Sequence, residues 1–299
     1  MTLYGSYRAG VGWSVLAAVF AAAFLVPYRF AVEEVPRGTA MTAMFASAAL
    51  FNAAVALAQD GRRALGFGWV SVGAAVGLAT LTIIGNFGIA YALPRIGAGM
   101  ISAVMKAQVV LTPLLALPLL GERAPRRLWA GALLALLGFA LPQLAAAEAG
   151  SGSGYAFGFV AALAFAGMQI LTRRVIERIR PASVNALRLL MAVLVLHLLP
   201  EGRAVWSAGP AAWGYAALAG LFGPGISRLC LMAAVRHVSP SLTALIALFG
   251  PVLAFGMGFV FFGTRPTGLE LAGAVLIIAG VLWPLLPGLR RAEPSGTLR

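Results

Sequence analysis

Residues 121–142 read GERAPRRLWAGALLALLGFALP, and residues 263–284 read GTRPTGLELAGAVLIIAGVLWP. The two stretches align without a gap at a distance of 142 residues. Their identical positions, named by the first stretch, are Gly121, Arg123, Ala130, Gly131, Ala132, Leu134, Gly138 and Pro142. Self-similarity at a fixed distance predicts an internal duplication of the chain.

The duplication reaches back toward the start of each copy. Residues 17–29 (AAVFAAAFLVPYR) superpose on residues 161–173 (AALAFAGMQILTR) at a distance of 144 residues. The Gly- and Ser-containing stretch AEAGSGSGY lies between the two copies and is typical of a linker. The predicted organisation is a first repeat at 1–146, a linker at 147–155, a second repeat at 156–289 and a tail at 290–299.

The composition is that of a membrane protein. Hydrophobic residues make up 61% of the chain and charged residues 10%, against roughly 25% charged residues in soluble domains. A membrane-spanning helix needs about 20 mostly apolar residues. The first apolar stretch resembles a cleaved signal peptide in its small residues, but its length and the single Arg8 before it favour a retained helix. The ten predicted spans are 10–31, 38–58, 67–93, 96–120, 125–145, 154–173, 183–199, 210–235, 238–263 and 266–288.

Basic residues divide unequally between the two ends of these spans. Fourteen fall on the side that holds both termini, five on the opposite side and three inside the spans. Because cytoplasmic segments of membrane proteins are enriched in Lys and Arg, both termini are predicted to be cytoplasmic, in a multi-pass protein of the inner (cytoplasmic) membrane. The net charge of +13 then reflects topology, and nucleic acid is not an expected partner.

Five spans per repeat have a mechanical consequence. An odd number places the second copy upside down relative to the first, which is the inverted-repeat plan of many secondary transporters. The fold class predicted here is an all-α polytopic membrane protein with ten transmembrane helices in two inverted five-helix repeats. Gly223, Pro224 and Gly225 form a GPG motif within the eighth span and are the predicted hinge.

Several of these features resemble the drug/metabolite transporter superfamily, and within it the EamA-type transporters. The features are the duplicated ten-helix plan, the GER at 121–123, the fifth spans GALLALLGFAL and GAVLIIAGVLW, and Arg188 in the seventh span. The chain departs from the pattern at Thr264, where the second copy would carry a glutamate, and at Met44, where the first copy has no arginine. The resemblance implies a central cavity lined by the first, third and fourth helices of each half. It also implies metabolite, amino-acid or drug transport, often export.

Lys106 lies about ten residues into the fourth span, or about 15 Å at the helical rise, which is the membrane midplane. An ionised group there costs about 2.5 to well over 10 kcal/mol if it faces lipid, so it is expected to face the bundle interior. Arg228 is a second cation inside a span, five residues after the start of GPG, and its repeat counterpart is Asn86. Since carboxylates occur only at the ends of the predicted spans or in loops, the substrate is the expected source of negative charge.

Other residues are weaker candidates for the substrate site. Ser102 lies one turn before Lys106 on the same helix face. Gln108 and Gln169 would bond either a ligand or another helix. Phe24 and Tyr28 form either an aromatic wall or part of the core. Arg188 lies about two turns from the cytoplasmic end of its span, and it is predicted to be structural or to reach toward the headgroups rather than to bind substrate.

The sequence predicts a secondary transporter of a small anionic or zwitterionic metabolite, such as an amino acid, an organic acid or a phosphorylated compound. An exporter or exchanger is favoured. A lipid or amphiphile translocator and a non-transporting scaffold or sensor are the alternatives. No enzyme activity, cofactor or metal is predicted, because His197, His237 and Cys230 form no ligand cluster in the sequence. The expected partners are a small-molecule substrate and membrane lipids, and homodimer formation is left open.

Overall fold

The computed structural model describes residues 3–108, 110–112, 115, 126–149, 152–175, 178–234, 237–238 and 246–290. This part of the chain contains helices and no strand. The helices are α1 (Leu3–Ala23), α2 (Leu25–Glu34), α3 (Arg37–Asp60), α4 (Trp69–Lys106), α5 (Arg126–Ala149), α6 (Gly152–Val175), α7 (Pro181–His197), the short α8 (Pro200–Arg203), α9 (Pro210–Gly220), α10 (Arg228–Ala234), α11 (Phe249–Phe262) and α12 (Gly268–Arg290). Two 3₁₀ segments (Gly61–Leu65 and Ala204–Ser207) and a π-helix (Leu221–Ser227) complete the order.

Four helical segments of the described part are long and apolar enough to cross a membrane. A fifth is obtained if the bent pair formed by Ala182–His197 and Pro200–Ser207, which meet at 109°, counts as one span. The multi-pass membrane class is therefore confirmed, whereas the predicted count of ten spans is not. The GER motif, the fourth span beyond residue 115 and the tail from residue 291 onward lie outside the described residues.

The long helix α4 contains the predicted boundary between the third and fourth spans. Gly97 has φ +72° and ψ 165°, so the helix breaks there into two segments. This backbone conformation is accessible essentially to glycine alone, because a Cβ atom would clash with the backbone. The break separates the third predicted span from the fourth, which carries Ser102 and Lys106.

Helix also occupies most of the stretch predicted as a linker. Helix α5 continues to Ala149 and α6 begins at Gly152. Residues 150 and 151 lie outside the described part of the chain. Gly152, Ser153 and Gly154 of the predicted linker therefore form the first turn of α6.

The duplicated glycines of the opening motif hold the two fifth spans together. A Cβ atom added at Gly138 would lie 2.6 Å from the carbonyl oxygen of Gly273, and one added at Gly280 would lie 2.5 Å from that of Gly131. Glycine is therefore required for α5 and α12 to approach this closely, as in other small-residue helix contacts in membranes. The contact pairs run in opposite directions along the chain, so the two repeat-related helices are antiparallel.

The other contacts between the two halves also recur when the first half is exchanged with the second. Helix α1 packs on the π-helix and α10, while its repeat counterpart α6 packs on α4. Helix α3 packs on α7, which is the corresponding helix of the second half. An arrangement in which each contact recurs with the halves exchanged is that of an approximate two-fold axis. The main core, with Tyr28, Met41, Met44, Phe45 and Leu93, lies between these helices.

Candidate functional site

Lys106 lies where the two fourth spans cross. Its Nζ atom is 3.1 Å from the position that a Cβ atom of Gly250 would occupy, and Ser102 Oγ is 3.7 Å from the same point. At the 142-residue distance, Gly250 is the repeat counterpart of Gln108. In the numbering of the first copy, the contact between Lys106 and Gly250 therefore joins positions 106 and 108, which lie on either side of residue 107. Lys106 is therefore next to the approximate two-fold axis that relates the halves, the position expected of a midplane residue.

Close packing continues along this crossing. A Cβ atom at Gly99 would overlap the ring of Phe255, and one at Gly258 would lie 4.0 Å from Cβ of Ala98. The glycine next to Ser102 therefore serves helix contact rather than lining open space. The residue numbers again run in opposite directions, so this segment of α4 and α11 are antiparallel.

Lys106 is only partly buried, and within the described residues no hydrogen bond or ion pair engages its ammonium group. The nearby amides do have a partner, because Gln169 Nε2 donates to Gln108 Oε1 over 3.2 Å. This bond links α6 to the residue two positions after Lys106. Ser102 and Lys106 thus face Gly250 together, and Gln108 and Gln169 form a hydrogen-bonded pair between the fourth and sixth spans. We call these four predicted residues the lysine site.

A second group surrounds Arg188, whose side chain is 4% exposed. Arg188 Nε donates to Asn185 Oδ1 over 2.6 Å, and Nη1 donates to the hydroxyl of Thr82. Nη1 also lies 3.5 Å from Sδ of Met168. The prediction that Arg188 could reach toward the headgroups is wrong, because the protein supplies acceptors for it inside the bundle.

The hydrogen bonds extend from Arg188 to the hinge motif. Asn185 Nδ2 donates to Asn52 Oδ1 over 2.7 Å and lies 3.5 Å from the carbonyl oxygen of Pro224. Asn52 Nδ2 lies 3.3 Å from the same oxygen. Two side-chain amides, one from each half of the chain, therefore converge on one backbone carbonyl of the eighth span. We call Thr82, Asn52, Asn185 and Arg188 the arginine network.

The predicted hinge is locally irregular. Leu221–Ser227 form a π-helix that contains Pro224, and π-helical turns occur mostly as short irregularities at functional sites. Proline lacks an N–H group, so a carbonyl in the preceding turn loses its usual donor. A Cβ atom at Gly223 would lie 3.0 Å from the ring of Phe24, and one at Gly225 would lie 3.2 Å from the ring of Phe51. The glycines thus allow aromatic rings to pack on the irregular turn.

The remaining predicted residues of the first half lie beside the arginine network. Tyr28 is fully buried, and its hydroxyl donates to the backbone oxygen of Asn86 over 3.1 Å. Asn86 Nδ2 donates to the carbonyl oxygen of Thr82 over 2.9 Å. Phe24 stacks on Tyr28 with ring centroids 6.0 Å apart. In this conformation Tyr28 and Phe24 serve the packing between the first and third spans.

Arg228 begins α10 directly after the π-helix and is partly buried. It is four residues after Pro224, whose carbonyl oxygen is 3.5 Å from Asn185 Nδ2 of the arginine network. The ion pair found within the described residues, Arg29 with Glu33 at 2.8 Å, is at the end of α2 and is partly exposed. No carboxylate in the described part contacts Lys106, Arg188 or Arg228.

A separate groove lies on the outside of the bundle between α4 and α7. Its volume is about 420 Å³, and none of the predicted site residues lines it. Apolar side chains dominate the lining, and Val76, Ile84 and Leu194 within it are exposed. The lining residues are Val76, Ala79, Thr80, Ile83, Ile84, Met191, Leu194 and Val195.

The sequence argument named the residues of the lysine site and of the hinge motif, which stay predictions, and it did not name Asn52, Asn185 or Thr82 of the arginine network. Asn52 and Asn185 stand inside otherwise apolar spans, which was a usable signal because buried amides in membranes require partners. The sequence does not show that these two amides meet, because 133 positions separate them.

Comparison with known proteins gives the following matches. The model of the EamA-like transporter family matches residues 8–142 and again residues 152–286, so the second match begins and ends 144 residues after the first. One solved crystal structure shares 24% sequence identity and a TM-score of 0.63, covering 95% of this chain and 99% of that chain. At this identity the likeness concerns the fold alone. No curated protein matches the chain significantly. The predicted family and the duplication are confirmed.

Proposed function

Since the chain belongs to the EamA-like transporter family and so is a membrane transporter of small molecules, we propose that it carries a small anionic or zwitterionic metabolite. The observation that carries this proposal is the imbalance of charge inside the bundle. Lys106, Arg188 and Arg228 lie among the helices, and no carboxylate of the described residues contacts them. Buried cations without counter-ions are costly, and a carboxylate or phosphate of the substrate would supply the missing charge.

The proposed mechanism is alternating access between two inverted five-helix repeats. The antiparallel crossings of α5 with α12 and of α4 with α11 support it, because halves related by an axis in the membrane plane can rock about a shared site. Lys106 lies next to this axis, where it would stay near the substrate in both states. The π-helix at Leu221–Ser227 is the proposed hinge of the eighth span.

We propose Lys106 as the principal contact for the negative group, supported by Ser102 and by the amides of Gln108 and Gln169. A lysine ammonium is a compact point charge on a flexible stem, whereas an arginine fork favours bidentate contacts in a fixed direction. Arg228 would therefore engage the anion in one state of the cycle. The variant Arg228→Lys keeps the charge and loses the fork, so we expect it to change the balance of states more than the affinity.

Exchange or uniport is the proposed mode of transport, in the export direction or as counterflow, because the carboxylates of the sequence lie at span ends or in loops and not in the middle of a span. Both termini are proposed to be cytoplasmic. A tag after Arg299 should therefore resist an impermeant reagent in intact cells, and labelling there would contradict the topology. Loss of pH-driven uptake with intact exchange in Glu33→Gln or Glu34→Gln would contradict the proposed mode.

The test of the function has two stages. A thermal-shift screen of carboxylates, amino acids and phosphorylated compounds first identifies a ligand, because binding raises apparent stability by mass action. Counterflow of that ligand is then measured in proteoliposomes, where the proposal expects uptake against a preloaded pool. Stabilisation by cationic or neutral compounds alone, with counterflow of those compounds, would contradict the anionic substrate class.

A lipid or amphiphile translocator is the second candidate, and the outer groove between α4 and α7 favours it. Its apolar lining and its opening to the surroundings suit an acyl chain. Thr80→Trp would obstruct the groove, so this candidate predicts loss of transport in that variant. The metabolite proposal predicts that the same variant keeps counterflow of a water-soluble anion.

A further inference from the structure

Arg188 and Arg228 lie on the seventh and eighth spans, next to the arginine network and the hinge motif. Arg188 comes from the seventh span and is held by Asn185 and Thr82. Arg228 follows the π-helix of the eighth span. No acidic side chain of the described residues contacts either one.

The contacts of the hinge motif bring these two residues close to each other. Asn185 Nδ2 lies 3.5 Å from the carbonyl oxygen of Pro224, and a helix carbonyl points toward the turn that follows it. Arg228 is four residues after Pro224, about one turn farther along the same helix face. The amide of Asn185 therefore lies between the turn that carries Arg228 and the guanidinium of Arg188, to which Asn185 Oδ1 is bonded.

Part of each guanidinium group remains free to bind a ligand. Nε and Nη1 of Arg188 have protein partners, whereas no partner within the described residues engages Nη2 or any nitrogen of Arg228. Among the described residues, Nε of Arg37 is the one side-chain nitrogen that is fully buried and has no hydrogen-bond partner. The unpaired nitrogens of Arg188 and Arg228 therefore keep accessible surface.

We infer that Arg188 and Arg228 form an anion-binding subsite on the cytoplasmic side of Lys106, which takes a carboxylate or phosphate between the two guanidinium groups. This inference rests on the proposed function and adds a second position for the substrate's negative group. Asn185 and Thr82 fix the direction of Arg188, so the arginine network serves to position a ligand-binding group as well as to stabilise the bundle. Two like charges in a region of low polarity repel each other, and an anion that contacts both removes this repulsion.

The chemistry of the subsite distinguishes it from the lysine site. Guanidinium groups bind carboxylate and phosphate oxygens through pairs of parallel hydrogen bonds, and spherical anions cannot make these pairs. We therefore expect the subsite to prefer phosphate and acetate over chloride. A substrate that leaves Lys106 toward the cytoplasm would meet this second position before it reaches water.

The test measures binding of inorganic phosphate and of acetate to the purified full-length protein, by thermal shift at constant ionic strength against chloride. The variants are Arg228→Gln, which removes the fork without touching the arginine network, and Lys106→Met, which leaves the subsite intact. Arg203→Gln is the matched control, because Arg203 is an exposed arginine at the end of the short helix α8. Melting without added anion checks that each variant is folded.

The inference expects phosphate to bind at least tenfold more weakly to Arg228→Gln than to the wild type, and with unchanged affinity to Arg203→Gln. Lys106→Met lacks the principal contact of the proposed function but keeps the subsite, so it is expected to bind phosphate more weakly and still measurably. It also expects Arg228→Gln to melt at a higher temperature than the wild type when no oxyanion is present, because the repulsion is gone. Loss of phosphate binding in Lys106→Met alone would overturn the subsite and leave the proposed function intact. Absence of oxyanion binding in the wild type, or equal loss in Arg203→Gln, would overturn the subsite as well.

Discussion

Lys106 and Arg188 are both cations inside the same bundle, but their surroundings differ. Arg188 is held by Asn185, Thr82 and Met168, and it lies in a network that reaches the carbonyl of Pro224. Lys106 lies over Gly250, and no hydrogen bond from the described residues holds its ammonium group. The arginine has acceptors that the protein supplies, whereas the lysine is left with a charge that a ligand can satisfy.

The comparison separates two uses of buried charge. A hydrogen-bonded guanidinium stabilises the arrangement of helices around it, and its removal leaves its partners unsatisfied. An ammonium without partners raises the free energy of the folded protein until a ligand binds, so its removal should cost binding and leave stability intact. The following substitutions test this distinction, in the order of their expected effect on the free energy of unfolding.

Arg188→Met should have the largest effect. It leaves Asn185 Oδ1 without its donor and removes the link to Thr82, and unsatisfied buried groups cost about 1 to 3 kcal/mol each. We expect the free energy of unfolding to fall by about 3 kcal/mol, measured by denaturant titration in mild detergent. The same replacement at Lys106 is the matched comparison. Equal stability of the two variants would contradict the distinction between the two cations.

Gly99→Ala should have the next largest effect, because it tests the crossing that carries Lys106. The added Cβ atom would overlap the ring of Phe255, and overpacking of this kind costs about 1 to 3 kcal/mol. Gly256→Ala on α11 is the control, because nothing lies within 4 Å of the Cβ position there. Gly256→Ala should be neutral or slightly stabilising. If Gly99→Ala were equally neutral, the two fourth spans would not cross at this point.

Asn52→Ala should have a smaller effect that is confined to the hinge. It removes one of the two amides at the carbonyl of Pro224 and the acceptor of Asn185, at a cost of about 1 kcal/mol. Hydrogen exchange in residues 221–227 should become about fivefold faster. Thr80→Ala is the control, because its hydroxyl bonds only to its own helix at Val76. Unchanged exchange in Asn52→Ala would mean that these amides do not restrain the π-helix.

The sequence could predict the elements whose evidence lies within a single stretch. The repeated glycines at 131 and 138 and at 273 and 280 indicated the duplication, and the four-residue spacing of Ser102 and Lys106 placed both on one helix face. The GPG motif indicated an irregular turn, and the structure has a π-helix at that position. In each case the physical cause is local: a missing side chain, a helical period or a missing N–H group.

The rest depends on which helix faces meet, and hydropathy does not determine that. Arg188 has its partners on α7, α4 and α6, more than 100 residues away for Thr82, so its position near a span end suggested a headgroup contact instead. Phe24 and Tyr28 are four residues apart and therefore share a helix face. This spacing is equally consistent with a cavity wall and with a packed core. Hydropathy does not determine the number of spans either. Gly97 divides one continuous run of helix into two segments, and α7 bends sharply into the segment that follows it.

Lys106→Met has the smallest expected effect on stability and tests the central claim most directly. The replacement keeps much of the length and apolar character of the stem and removes the charge. The decisive measurement is the affinity for a substrate verified by counterflow, taken beside the melting temperature of the same purified protein. We expect an unchanged or higher melting temperature and a loss of about 1.5 to 3 kcal/mol in binding, which is about 10- to 150-fold in affinity. Unchanged affinity, or unfolding of the variant, would mean that Lys106 is structural and that the substrate's charge is not bound at the crossing.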